Sequence, residues 1–187
     1  MVAKTNVLQS YKEANIAGKV EIICKYYTDF IGIIEGFTEG LRYMIENEKA
    51  YNQKAQKGEL GVRVQGGRSH SDVTADAAIN HVVTREAIVT CDFSGNIFEG
   101  VDHKKEYQER AVLLKHMRDD FELFNRQLVI LGQEELRVFR SYLTREKDLT
   151  CIADEEGIQY ESAAQKVRRA KVKIKIQMAC FMEGVAV

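Results

Sequence analysis

The 187-residue chain is 45% hydrophobic and 29% charged, with 27 basic residues against 28 acidic ones, the balance of a folded globular chain rather than a disordered one. That length holds one sizeable core or two small ones. No run of about 18 apolar residues exists, which excludes a transmembrane helix, and the polar opening around residues 1–4 has no apolar signal region, so a cytoplasmic location is expected.

Proline is absent, which leaves long helices free of that interruption. Cys24, Cys91, Cys151 and Cys180 stand alone with no CxxC pair, so neither a structural zinc site nor a disulfide framework is expected. Ile23, Tyr27, Phe30, Ile34, Phe37, Leu41 and Met44 follow one another at steps of four and three. This spacing predicts mostly one helix over about 8–50, with a stripe widened by Tyr26, Ile31, Ile33 and Ile45. Gly32, Gly36 and Gly40 either cost helix stability, let another helix come close, or mark a bend.

Between 52 and 71 the periodicity stops in a polar, glycine-rich loop, where Val62 and Val64 suit a short extended piece. The run 65–69 lacks the spacing of a phosphate-binding loop. Asp72 or Thr74 can cap a helix over about 75–90, with Ala78, Ile79, Val82, Val83 and Ala87 as its apolar side. Residues 88–93 read equally as helix end or short strand, and Gly95 and Gly100 bracket a second loop. A second long helix is predicted over about 103–131 from Tyr107, Leu114, Met117, Phe121, Phe124, Leu128 and Leu131. The two long helices are expected to pack antiparallel, with the 75–90 helix along the seam; the same faces also suit a homodimer.

Gly132 breaks the pattern, and 133–144 restarts it with Leu136, Phe139, Tyr142 and Leu143 inward. After a polar turn, Leu149, Ile152 and Ala153 form the inner face of a short helix that Gly157 ends at a left-handed cap, with Ile158 as the plug. A last helix begins near Tyr160 and runs to 176 or beyond, burying Ala163, Val167, Ala170 and Ile174. Charge is segregated there. Residues 1–158 carry 21 basic and 26 acidic side chains, whereas 159–176 carries Lys166, Arg168, Arg169, Lys171, Lys173 and Lys175 against Glu161 alone. Two helices joined by a tight glycine turn, the second basic outside, form a helix-turn-helix pattern. Tyr160, Glu161, Ala164 and Gln165 would face base edges; Glu161 can accept from cytosine N4 and Gln165 can pair with adenine. Lys166, Arg168, Arg169 and Lys173 would reach phosphates.

The stretch 131–176 resembles the promoter-recognition domain at the C-terminal end of bacterial sigma factors, through 133–139, the run Leu149-Thr150-Cys151-Ile152-Ala153-Asp154-Glu155-Glu156-Gly157-Ile158, and 169–174. The whole chain is similar to small phage-encoded, sigma-like transcriptional regulators of the late-gene activator type found in Gram-positive temperate phages. The resemblance implies base contacts from Tyr160, Glu161 and Gln165 and a backbone contact from Arg169. Glu156 stands where such domains carry a leucine, Gln159 replaces their usual Ser or Thr cap, and Ala164 cannot make a phosphate contact common at that position.

The expected architecture is therefore all-α: a helical body over 1–131, a helix-turn-helix module over 132–177 and a tail over 178–187. The expected function is a sequence-specific transcriptional regulator of a phage or mobile element, acting in the bacterial host cytoplasm on double-stranded DNA, with RNA polymerase and a second copy of the chain as further partners. The alternative is an oligomeric DNA-packaging protein such as a phage terminase small subunit. No enzyme activity, cofactor or metal is expected. His70, His81, His103 and His116 have no partner in register, Asp119-Asp120 and Glu134-Glu135 point different ways on a helix, and adjacency in Ser69-His70-Ser71-Asp72 does not make a triad.

Overall fold

A computed structural model describes residues 7–58 and 73–182. All regular structure in them is helical, and the fold is all-α. The helices are α1 (Val7–Glu13), α2 (Ile16–Lys25), α3 (Phe30–Gly58), α4 (Val73–Thr90), α5 (Lys104–Gln127), α6 (Gln133–Thr144), α7 (Leu149–Glu155) and α8 (Tyr160–Met182), with a 3-10 turn Leu128–Ile130 after α5. The extended piece at Val62 and Val64, the 65–69 run, the triad-like residues, the cap at Asp72 and the last five residues of the expected tail lie outside the described residues, and Thr74, the other expected cap, lies inside α4. The chain divides into two compact units, Met1–Gly32 with Met117–Val187, and Ile33–His116. This grouping differs from a body over 1–131 and a module over 132–177: α6–α8 share a unit with α1 and α2.

In the first unit, the single helix expected over 8–50 is replaced by α1, α2 and the start of α3. Asn15 explains the first break. Its backbone is extended and its side chain accepts a hydrogen bond from Gly18 N at 2.8 Å, capping α2. The second break is the turn that closes α2, where Asp29 N donates to the Tyr26 carbonyl. Tyr11, Ile23, Phe30, Phe124 and Phe139 are fully buried. Phe30 stacks on Phe121 at 5.2 Å, and the Tyr11 hydroxyl donates to Asp120 at 2.8 Å. Burial, with the Asp120 charge beside it, pushes the Tyr11 phenol far above its usual range. α8 packs on α2, α6 and α7, so the unit's C-terminal helix lies at its centre.

In the second unit α3 and α5 run antiparallel: Met44, Glu48 and Asn52 meet Arg110, Tyr107 and Asp102 in turn. The buried line along α3 is Ile34, Thr38, Leu41 and Ile45, while Phe37 is half-buried and Met44 exposed. A straight helix of 3.6 residues per turn drifts off a strict 4-3 repeat, and the seam moves with it. Thr38 meets its buried hydroxyl's need by donating to the Ile34 carbonyl at 2.9 Å. A Cβ built on Gly32, Gly36 or Gly40 meets nothing within 4 Å, so these glycines serve no close helix approach among the described residues.

α4 departs most from expectation. Of its expected apolar side only Ala87 is buried; Ile79, Val82 and Val83 are 59%, 65% and 45% exposed. The buried face carries Thr84, Ala87 and Ile88 instead. Charge seats the rest: Arg85 bonds Glu35 at 2.6 Å and Glu39 at 2.9 Å, and His81 lies 3.3 Å from Glu46. The ambiguous stretch 88–93 ends the helix and forms no strand.

Candidate nucleic-acid interface

The turn before α8 is built by its sequence. Asp148 caps α7 by accepting from Cys151 N at 2.8 Å. At the other end Gly157 sits at φ +63°, its N–H donates to the Asp154 carbonyl, and Ile158 N–H donates to the Ala153 carbonyl at 3.0 Å. These two bonds close a Schellman cap, which satisfies α7's last carbonyls and turns the chain into α8. Glu156 is half-buried and pairs with Arg137 of α6 at 2.5 Å.

α8 buries Ala163, Val167, Ala170, Ile174 and Met178. It continues through Met182, in keeping with an expected reach of 176 or beyond, and takes in the first part of the expected tail. At about 100° per residue, the face opposite that stripe carries Glu161, Gln165, Arg168, Arg169, Val172 and Ile176, all exposed. Gln165, Arg168, Arg169, Val172 and Lys173 line a shallow groove along it. Tyr160 is also exposed but stands roughly 140° round the helix from Gln165, off that face. Ala164 is half-buried.

The lysines divide by flank. On one side, Lys166 bonds Glu134 at 3.1 Å and Lys173 bonds Glu135 at 2.5 Å, both from the first turn of α6. On the other, Lys171 and Lys175 share Glu21 of α2 at 3.0 and 2.7 Å, and Lys171 lies 5.0 Å above the Tyr142 ring. Partial burial pushes the Glu21 carboxyl up, but the two lysines outweigh it and hold its pKa below the usual value. Of the four residues expected to touch phosphates, then, Lys166 and Lys173 are held in ion pairs. Arg168 and Arg169 make no ion pair among the described residues. The six cations were legible in the sequence; Glu21, Glu134 and Glu135 were not, because their partners lie up to 150 residues away.

A second constellation escaped the sequence. Glu48 of α3 accepts from Asp102 N at 2.7 Å, His103 N at 3.1 Å and the Tyr107 hydroxyl at 2.6 Å, and pairs with His103 Nδ1 at 3.0 Å. It caps the start of α5 from another helix. Desolvation raises the carboxyl, yet these donors hold it at about 2, and Glu48 raises the His103 imidazole above its usual value. His103 and His81 are therefore partnered, contrary to the reading of both as isolated. Only the turn ahead of Lys104, with its own need for a cap, hinted at this.

Among the described residues no group of three or more His, Cys, Asp or Glu side chains is placed to hold a metal ion, and no helix is long and apolar enough to cross a membrane. Comparison with protein-family models, with curated proteins and with solved structures finds no match.

Proposed function

We propose that the protein is a sequence-specific DNA-binding transcriptional regulator in which α7 and α8 act as a helix-turn-helix and α8 enters the major groove. The observation that carries this reading is the outer face of α8. Glu161 and Gln165, a polar pair able to read base edges, lie near the helix start on the same face as two arginines, Arg168 and Arg169, that make no ion pair among the described residues. A groove about 12 Å wide admits such a helix. Arginine's planar fork suits phosphate. The paired lysines are not lost to the interface: exposed ion pairs are worth about 0–1 kcal/mol, so Lys166 and Lys173 can exchange a glutamate for a phosphate at small cost. The resemblance to sigma-like phage regulators belongs to the same reading, with promoter DNA and RNA polymerase as partners.

The test is selection of duplexes from a random library by the purified protein, together with its solution mass. An enriched motif bound by a monomer or dimer is expected. Gln165→Ala or Glu161→Ala should relax that motif at single positions, by about 1–3 kcal/mol of discrimination per base contact. Arg168→Ala with Arg169→Ala should weaken all duplexes alike and lower the salt slope by about two. A ring-forming assembly selective for packaging sites would favour the terminase alternative, and indifference to DNA at low salt would end both.

A further inference from the structure

One side of the second unit is exposed, apolar and poor in charge. α4 runs antiparallel to α3 there, since Arg85 meets Glu35 and Glu39 while His81 meets Arg42 and Glu46. At about 100° per residue, the line of α3 that lies past these contacts from the core carries Gly36, Gly40, Tyr43 and Tyr51, and the matching line of α4 carries Val82 and Ile79. All six are exposed, Tyr43 by 62% and Tyr51 by 73%. A contiguous apolar patch of this kind on two neighbouring helices marks a site of association.

We propose that this face joins two copies of the chain, α3 against α3 and α4 against α4, about a two-fold axis crossing α3 beside Tyr43 and Met44. Charge selects the antiparallel arrangement. Lys54, exposed and without an ion pair among the described residues, stands at one end of the α3 face, and Glu35 and Glu39 stand at the other. Antiparallel copies bring Lys54 beside Glu35 of the other chain, whereas parallel copies set like against like. Shape agrees. The same axis lays the Tyr51 ring over the bare backbone at Gly36, where a Cβ would meet nothing within 4 Å among the described residues. It also serves α4, because residues 79–82 run alongside the 42–46 stretch of α3, so Ile79 of one copy meets Val82 of the other and the reverse. The face is about 23 Å long and two helices wide, roughly 450 Å² in plan and more with side-chain relief. That approaches the ~600 Å² per partner at which specific interfaces begin, the size of a weak, reversible dimer. The inference is independent of the DNA-binding reading, since every residue in it belongs to the second unit and none to α8.

Sedimentation equilibrium of the full chain is the test. A single chain is expected at about 1 µM, with the face open, and a dimer by about 100 µM. Ile79→Asp, at an exposed position, should weaken association at least tenfold with an unchanged circular-dichroism spectrum. Disulfide trapping reads the axis: with Cys91, Cys151 and Cys180 replaced by serine, Tyr43→Cys should close a linked dimer under mild oxidation. Tyr51→Cys should not, because its two copies would stand roughly 22 Å apart along the helices. A monomer throughout that range would overturn the proposal, as would a ring or higher oligomer. So would undiminished association of the Ile79 variant, or linkage of Tyr51→Cys as readily as Tyr43→Cys.

Discussion

α8 and α4 are both helices with enough apolar residues to find a core, yet one follows its sequence and the other does not. α8 buries Ala163, Val167, Ala170 and Ile174 and carries charge on every other side. Its amphipathic phase has one solution. α4 has apolar or small residues around much of its circumference, so several faces could turn inward. It turns in Thr84, Ala87 and Ile88, and the Arg85 and His81 contacts with α3 fix that choice. Where apolar periodicity is sharp it chooses the face; where it is blurred, charge does.

Truncations should separate the two helices most widely. Ile174→Ala in α8 is expected to cost about 2–5 kcal/mol in urea unfolding, since it empties a fully buried site. Val82→Ala in α4 is expected to stay within about 0.5 kcal/mol, and a cost like that of Ile174→Ala would show that this face is covered in solution. Next in size is Gly157→Ala, which forces a Cβ into a left-handed turn and should cost about 1–2 kcal/mol.

The charged seating of the second unit should appear as a pH dependence. The depressed Glu48 carboxyl contributes stability that is present above its unfolded value near 4.5 and is lost as pH falls toward about 2. The raised His103 imidazole contributes stability that is complete below its ordinary value near 6.5 and is lost as pH rises through the higher folded one. Glu48→Gln should flatten both limbs of the stability–pH curve; an unchanged curve would remove the network from the account. Arg85→Ala should cost about 0–1 kcal/mol, and the loss should shrink with added salt.

Much of the candidate interface was legible before any coordinates. The inward residues of α8, the polar pair Glu161 and Gln165, the turn at Gly157 and the bounds of α6 all follow from signals within a few residues of one another. The single helix over 8–50 failed because a stripe that persists in phase hides a short break, and Asn15 is a cap only if the chain turns there. Lys166 and Lys173 fell short as free cations because a lysine's charge is visible in sequence while its partner is not.

The sequence by itself determined the all-α class, the inner stripe of α8 and the glycine turn before it, because periodicity and capping are local and act through neighbouring peptide groups. Tertiary structure alone decided which glutamates hold the lysines, which face of α4 is buried, how Glu48 caps α5 and how the chain groups into units. Those depend on distances between residues tens to more than a hundred positions apart, which only the closed fold sets.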